Sequence, residues 1–274
     1  MIKVGNTIKS IKKRYEEISG TPTFIYFEHF NSNWRWSQKI EILEGWEKSD
    51  GSIVHGLRIS LHEGWKTYWH TPGPMGLKPQ FDFEGSLNIR GVNILWPSPN
   101  VFGSSGFETI GYENEVILPI VIEAEVGSDP VNLKIKGSIG VCYDICIPVE
   151  FTTETGLKII SKNINTDLLA ALANLPISPS DLGKKNARCI ITFGPNNFKI
   201  KADIPYLENA GSYIFFSIEN YRNILSIEQP KLIIPGKIVS ARGEWYDNSQ
   251  LKISSDLITI THLDEGQVIE QKGC

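Results

Sequence analysis

The stretch GVCYDICIPVE, residues 140–150, contains two of the four cysteines of the chain, Cys142 and Cys146. A disulfide between them needs Cα atoms about 4.4–6.8 Å apart, whereas four extended residue steps cover about 13 Å. A straight strand therefore cannot join the two sulfurs. Because a helical turn or a compact loop brings such positions together, the spacing predicts a turn between two extended segments.

Spacing alone leaves three interpretations of the cysteine pair. Loop-closure entropy grows with loop length, so a disulfide across so short a loop adds little stability, which favours a redox couple. A structural disulfide, or two buried thiols, is the first alternative. A metal site is the second, although zinc usually takes four ligands and no histidine lies close to the pair in sequence.

Three neighbours of the cysteines are candidate residues lining the site: Tyr143, Asp144 and Pro148. A carboxylate at Asp144 disfavours a nearby thiolate and raises its pKa; alternatively, Asp144 only caps the backbone of its own turn. Tyr143 either contacts the sulfurs or fills the core. Pro148 is expected to end the turn and to fix the outgoing strand.

Composition excludes several classes of protein. A net charge of −4 gives no indication of nucleic-acid binding. No stretch reaches the roughly 20 apolar residues of a membrane-spanning helix, and no clear apolar core of a signal peptide follows the basic N-terminus. The chain has no protease-type base and no phosphate-binding loop, so we expect no cofactor and no resident metal.

Short segments of strand character follow one another from residue 34 and predict a β-sandwich of at least seven strands. They comprise a hairpin at 40–61 turning at Asp50-Gly51, and strands at 81–83, 91–96, 116–124, 131–139 and 150–157. Pro119 suggests that its strand is an edge strand or carries a bulge. The Gly- and Ser-rich residues 102–112 are expected to form a mobile loop.

The aromatic stretch GWKTYWHTPG, residues 64–73, has two interpretations. Trp65, Tyr68 and Trp69 either form an aromatic wall beside a site or fill the core, and large buried aromatic area favours the core. His70 has no partner close in sequence, so an ordinary surface or hydrogen-bonded role is expected for it.

The second part of the chain changes character. Residues 165–175 favour a helix that Pro176 ends, and 176–185 resemble a linker. Further strands are then predicted at 189–193, 198–202, 212–218, 225–228, 231–234, 237–244, 251–254 and 257–262. Cys189 is predicted to be a buried free thiol and the terminal Cys274 to be mobile.

Four motifs in one order carry a resemblance to a known family: GWKTYWHTPG (64–73), ILWPSP (94–99), ETIGYENEVILPI (108–120) and VCYDICIPVE (141–150). Together they resemble the N-terminal domain of the disulfide reductase DsbD. They are more closely similar to its alphaproteobacterial relatives, including the N-terminal part of the suppressor-of-copper-sensitivity protein ScsB. The resemblance covers about residues 36–157, and loosely the second β region.

The resemblance implies an immunoglobulin-like β-sandwich in the periplasm. Together with the strands predicted after residue 185, the predicted fold is all-β: this sandwich followed by a second, smaller β-sandwich-like domain. The predicted organisation is a peripheral segment 1–33, a redox domain 34–160, a helix and linker 161–185, and a second β domain 186–274.

The resemblance also implies a role for the cysteines. Cys142 and Cys146 would be the redox pair of a protein-disulfide reductase type of oxidoreductase, with Cys142 forming the mixed disulfide. Electrons would come from membrane-embedded or thioredoxin-like thiol proteins and pass to thioredoxin-like proteins, including those of cytochrome c biogenesis. The segment 107–112 matches the family's cap loop, with Phe107 or Ile110 as its apolar lid.

Three departures from the family accompany this resemblance. The best-known DsbD has a longer spacer between its cysteines, whereas the alphaproteobacterial relatives share the short one, and the lid does not match residue by residue. The sequence also contains no membrane segment or thioredoxin-like domain, so separate partners are expected to reduce it. The alternatives to redox transfer are a protein-binding sandwich with a structural disulfide, or a Cu(I)-handling protein that uses two soft thiolates.

Overall fold

A computed structural model describes residues 38–73, 75–103, 108–125, 127, 130–157, 164–195, 197–207, 213–218, 224–227, 231–234, 238–245, 253–264 and 267–274. Ser37–Cys274 form one compact unit. The predicted peripheral segment 1–33 and the predicted lid residue Phe107 lie outside the described residues.

Strands make up most of the described residues, which confirms the predicted all-β fold class. The first ten strands are β1 (Lys39–Glu47), β2 (Ile53–Ser60), β3 (Lys66–Tyr68), β4 (Gln80–Asp82), β5 (Ile89–Ile94), β6 (Asn100–Phe102), β7 (Thr109–Glu113), β8 (Glu115–Ala124), β9 (Val131–Cys142) and β10 (Cys146–Leu157). The helix α1 (Thr166–Ala173) follows. The remaining elements are β11 (Arg188–Phe193), β12 (Asn197–Asp203), β13 (Tyr213–Ile218), β14 (Ile224–Ile227), β15 (Lys231–Ile234), β16 (Ile238–Trp245), a 3₁₀ turn (Ser255–Leu257), β17 (Ile258–Asp264) and β18 (Gln267–Lys272).

The first domain is a sandwich of two antiparallel sheets. One sheet has the order β1-β2-β8-β5, and the other has the order β10-β9-β3-β7-β6 with β4 also paired to β9. Alternate residues of facing strands fill the space between the sheets, because side chains alternate between the faces of a strand. Leu118 and Ile120 of β8 and Leu133 and Ile135 of β9 are almost fully buried, and each such side chain contributes about 1.5–3 kcal/mol.

The predicted hairpin at 40–61 is present as β1 and β2. Its turn follows the local chemistry: Gly51 adopts a φ of 82°, and the amide and hydroxyl of Ser52 both donate to Asp50. These hydrogen bonds hold the pKa of the Asp50 carboxyl below its ordinary value. The Asp-Gly dipeptide was therefore sufficient to locate this turn.

The prediction that Pro119 marks an edge strand or a bulge was wrong, because β8 lies between β2 and β5 in the sheet. The carbonyl of Pro119 accepts a hydrogen bond from the Leu95 amide. In an antiparallel ladder the N and O atoms of one residue face the same neighbour. The missing N–H of Pro119 therefore faces Leu95, one residue beyond the end of β5, and the proline removes no bond from the β2 ladder.

The second domain contains two further antiparallel sheets around its own core. One has the order β11-β12-β16-β14 with β15 paired to β16, and the other has the order β13-β17-β18. Phe198, Ile200, Ile258 and Ile260 are completely buried between them. Strand β18 was not predicted from the sequence. Ile253 and Ser254, predicted as strand, precede the 3₁₀ turn without forming one.

The segment predicted as a linker is hydrogen-bonded to the second β region, and the two β regions share core contacts. The Ile177 amide donates to Val268, and its carbonyl accepts from Glu270, so the predicted linker pairs with β18 through an isolated parallel bridge. Phe215, Leu263 and Val268 also belong to the core cluster of the first domain. The predicted domain boundaries remain a proposal.

Cys189 and Cys274 form a disulfide with Cα atoms 5.2 Å apart. The predictions of a free thiol at Cys189 and of a mobile Cys274 were therefore wrong. The bond connects β11 to the last residue of the chain, and both cysteines pack against the second core cluster. Its partners lie 85 positions apart, and a disulfide that closes a long loop removes much entropy from the unfolded chain.

We expect the double variant Cys189→Ser/Cys274→Ser to lose about 2–5 kcal/mol of unfolding free energy, because the unfolded chain regains the entropy of the opened loop. Urea denaturation under non-reducing conditions measures this loss. The matched control is Cys142→Ser/Cys146→Ser, whose partners are 4 positions apart, and it should lose less. Equal losses in the two double variants would contradict the assignment of Cys189–Cys274 as the stabilising disulfide.

Candidate functional site

The two cysteines of the opening motif face each other at the end of a hairpin. β9 ends at Cys142 and β10 begins at Cys146, which are paired in the ladder and joined by a disulfide with Cα atoms 4.1 Å apart. Residues 143–145 form the connection, so the predicted turn between two extended segments is present.

The phase of the ladder explains why a disulfide fits at this pair. The Tyr143 amide donates to the Ile145 carbonyl at 3.3 Å, and Asn132 exchanges both of its backbone bonds with Leu87, away from β10. Even-numbered residues of β9 therefore point their N–H and C=O groups away from β10. Cys142 and Cys146 form a non-hydrogen-bonded pair, the type in which opposite side chains approach most closely.

The two cysteines differ in their access to solvent. Cys142 is 6% exposed, whereas Cys146 is exposed at the start of its strand. At the loop tip Tyr143 is 60% and Ile145 75% exposed. A thiolate from another protein therefore reaches Cys146 more readily than Cys142.

The hydroxyl of Tyr68 lies 3.0 Å from the sulfur of Cys142 and 3.0 Å from the sulfur of Cys146. Sulfurs joined in a disulfide carry no hydrogen, so the phenol is the donor. Burial raises the pKa of this phenol above its ordinary value, so it is a neutral O–H donor at neutral pH. Tyr68 is therefore placed to donate to a thiolate when the disulfide opens.

Strand β3 brings Tyr68 to the sulfurs because it pairs with β9. Its Lys66 and Thr67 lie opposite Cys142 and Val141, and the Thr67 hydroxyl donates to the Gly140 carbonyl at 2.9 Å. A Cβ atom at Gly140 would lie 2.9 Å from the Tyr68 ring, which is too close for ordinary contact. The glycine of the GVC motif therefore makes the space that the phenol ring occupies.

The aromatic stretch divides between the site and the core. Trp69 is completely buried in the sandwich, as the core interpretation predicts, but Tyr68 points to the sulfurs. Trp65 stacks on Tyr143 with ring centres 5.8 Å apart, so Tyr143 packs at the rim of the site and not in the core. For Tyr68 the favoured core interpretation was therefore wrong, and the alternative interpretation of an aromatic residue beside a site holds.

The other predicted residues lie at different depths around this centre. Asp144 is exposed at the loop tip. Pro148 lies within β10 opposite Gly140, so the turn ends at Cys146, before the proline. Ile110 is completely buried in β7 and belongs to the main core cluster. A lid function for Ile110 or Phe107 remains a prediction.

His70 is hydrogen-bonded, as the sequence suggested. Its Nδ1 atom lies 2.9 Å from the Thr71 hydroxyl, and its Nε2 atom lies 3.3 Å from a carboxylate oxygen of Glu270 in the second domain. Within the described part of the chain, no group of three or more His, Cys, Asp or Glu side chains is placed to hold a metal ion. None of the described helices is long and apolar enough to cross a bilayer.

Comparison with known proteins agrees with this geometry. The family described as thiol:disulfide interchange protein DsbD, N-terminal, matches residues 41–158. The crystal structure of the N-terminal periplasmic domain of ScsB from Proteus mirabilis matches this chain with a TM-score of 0.55 and 21% sequence identity, covering 82% of this chain and 87% of that chain. No curated protein matches the chain.

Residues 41–158 therefore form a DsbD N-terminal-like domain with an immunoglobulin-like β-sandwich. The structural match extends well beyond this segment, and the described residues after α1 form two further antiparallel sheets. The cysteine hairpin and Tyr68 both lie within the matched residues.

We expect Tyr68→Phe to slow the cleavage of the Cys142–Cys146 disulfide by dithiothreitol about tenfold or more at neutral pH. The substitution removes one hydrogen bond to the departing thiolate, and hydrogen bonds to charged groups contribute about 1.5–3 kcal/mol. Stopped-flow reduction measures the rate. Tyr206→Phe, which removes a buried hydroxyl in the second domain, is the control and should react at the wild-type rate; a wild-type rate for Tyr68→Phe would exclude the phenol from the reaction.

Proposed function

We propose that this protein, whose residues 41–158 form a DsbD N-terminal-like domain, is a periplasmic thiol–disulfide exchange protein. It passes reducing equivalents through Cys142 and Cys146 to other thiol proteins. The observation that carries the proposal is a disulfide at the end of a hairpin, with one exposed cysteine, one buried cysteine and a phenol O–H within 3.0 Å of both sulfurs. The periplasmic location of the similar ScsB domain supports the compartment.

Reduction of the pair begins when a thiolate of the donor protein attacks the sulfur of Cys146. A bond forms between the donor sulfur and Cys146, the bond to Cys142 breaks, and the electron pair remains on Cys142. The Tyr68 hydroxyl donates to this new thiolate, which lowers the energy of the leaving group. A second thiolate of the donor protein then attacks the donor sulfur that is bonded to Cys146. The donor is left with a disulfide, and Cys146 is released as a thiolate.

The net change leaves the donor oxidised and both cysteines reduced, with two electrons and two protons gained. Delivery to an acceptor is the reverse: the Cys146 thiolate attacks the acceptor disulfide, and Cys142 resolves the mixed disulfide. This assignment differs from the expectation that Cys142 forms the mixed disulfide. It rests on the burial of Cys142, which is only 6% exposed.

The proposed partners are thiol proteins. A membrane-embedded or thioredoxin-like protein is the proposed donor, and a thioredoxin-like protein of the periplasm is the proposed acceptor. Delivery to the thiol pathway of cytochrome c biogenesis is one destination that the family resemblance suggests. Single-cysteine variants used as bait, followed by identification of the trapped protein, would name these partners.

The two single-cysteine variants should differ in reactivity. We expect Cys142→Ala, which leaves Cys146, to form a mixed disulfide with oxidised glutathione at least about tenfold faster than Cys146→Ala, which leaves the buried Cys142. Mass spectrometry of quenched samples measures both rates. Faster reaction through Cys142 would reverse the assignment of the attacking cysteine, although it would leave the exchange function intact.

The wild-type protein contains its own control for the exchange function. In glutathione buffers of graded potential, we expect Cys142–Cys146 to become reduced at a potential above about −300 mV, the range of labile disulfides, while Cys189–Cys274 stays oxidised. Differential alkylation before and after reduction distinguishes the pairs. If both pairs stay oxidised until the buffer potential falls below about −300 mV, the structural-disulfide interpretation replaces the proposed function.

A further inference from the structure

Strand β10 is the outermost strand of its sheet. Among the residues that the structure describes, only β9 pairs with it. The strand begins at Cys146 and continues to Leu157, so the exposed cysteine is the first residue of a long edge. Its even-numbered residues Cys146, Pro148, Glu150, Thr152 and Glu154 are all exposed. An edge of this kind is a template on which another strand can form hydrogen bonds.

The phase of the β9–β10 ladder determines which backbone groups this edge presents. Odd-numbered residues of β10, such as Ile147 opposite Val141, form the hydrogen-bonded pairs with β9. The N–H and C=O groups of even-numbered residues therefore point outward. Pro148 lacks one donor, and the donors of Cys146, Glu150 and Thr152 remain available to an incoming strand.

We propose that the exchange partner docks on this edge as an added β-strand that places its cysteine opposite Cys146; this rests on the proposed function. A residue opposite Cys146 in a hydrogen-bonded pair lies about 5.5 Å away between Cα atoms. This distance falls within the roughly 4.4–6.8 Å that a disulfide requires. The Cα separation is therefore compatible with a mixed disulfide between the two strands.

The same arrangement aligns the reacting sulfurs. Cys142, Cys146 and the partner cysteine occupy neighbouring positions on three adjacent strands, with their side chains on one face of the sheet. The partner sulfur approaches Cys146 from the side opposite Cys142. The forming bond and the breaking bond then lie along one line, and the electron pair departs onto Cys142 next to the Tyr68 hydroxyl.

The acidic side chains along this edge indicate which charged residues the partner strand carries. Glu150 shares the exposed face with Cys146, four positions along the strand, whereas Glu154 already accepts a hydrogen bond from Asn132 and lies opposite Lys134 of β9. Opposite charges across a strand pair stabilise the pairing, and like charges weaken it. The partner segment is therefore an extended strand with one cysteine and with lysine or arginine four positions away on the same face.

Synthetic peptides test this docking mode on the full chain. The probe is a reduced peptide with one cysteine, alternating threonine and valine, and a lysine four positions from the cysteine. The control peptide has the same sequence but carries N-methyl groups on the backbone nitrogens two and six positions from the cysteine, where the peptide amides would face β10. We expect the unmodified peptide to open Cys142–Cys146 by forming a mixed disulfide with Cys146, which leaves a thiolate on Cys142, at least about tenfold faster than the N-methylated peptide; equal rates would overturn the proposal.

A matched pair of variants tests the edge from the side of the protein. Thr152→Pro removes one outward N–H without removing a bond to β9, whereas Thr152→Val changes the side chain and keeps the N–H. We expect Thr152→Pro to slow formation of the mixed disulfide with the unmodified peptide about fivefold or more relative to Thr152→Val, with the dithiothreitol rate unchanged in both. The same peptide rate in both variants would contradict strand addition.

Two further outcomes separate the proposals. If dithiothreitol fails to reduce Cys142–Cys146 in the wild-type protein, the proposed function fails, whatever the docking mode. If a second copy of the chain occupies the edge, the second-order rate constant for the peptide falls as the protein concentration rises. That result would overturn docking by an exchange partner but would leave the exchange function intact.

Discussion

The register of the β9–β10 ladder is the constraint on which the site depends. It pairs Cys142 with Cys146 at one end and Val131 with Leu157 at the other. Because side chains alternate along a strand, a shift by one residue would turn every side chain to the opposite face. Leu133, Ile135 and Ile139 are buried in the sandwich, and their burial prevents that shift. The hydrophobic core therefore holds the two sulfurs in disulfide geometry from a distance.

Strand β3 connects the core to the chemistry in a similar way. Trp69 directs its ring into the sandwich and is completely buried, whereas Tyr68, one residue earlier, directs its hydroxyl to the sulfurs. Gly140 supplies the space for the phenol ring, and the Thr67 hydroxyl ties β3 to the carbonyl of that glycine. A movement of β3 away from β9 would break the Thr67–Gly140 hydrogen bond and, at the same time, take the Tyr68 hydroxyl away from the sulfurs.

Local patterns made much of this structure predictable. The Cys142–Cys146 spacing required a turn, and the Asp50-Gly51 dipeptide located another. Contacts between distant segments were not predictable in this way: Tyr68 lies 74 positions from Cys142, and Cys189 lies 85 positions from Cys274. Pro119 was misread because its consequence depends on where β5 ends, which its own strand does not reveal. Sequence periodicity identifies which face of a strand is buried, but not which strand lies beside it.

The two disulfides close loops of very different length, which fits the proposed division between an exchange bond and a stabilising bond. Cys189–Cys274 closes a long loop and joins the last residue to β11, so its loss would release a large part of the second domain. Cys142–Cys146 closes a short loop within a ladder whose hydrogen bonds and core contacts persist without it. Opening this bond returns little loop entropy to the unfolded chain, so the folded protein loses little stability. In the proposed function, the sandwich therefore cycles between oxidised and reduced states while its strands, and the edge that begins at Cys146, keep their shape.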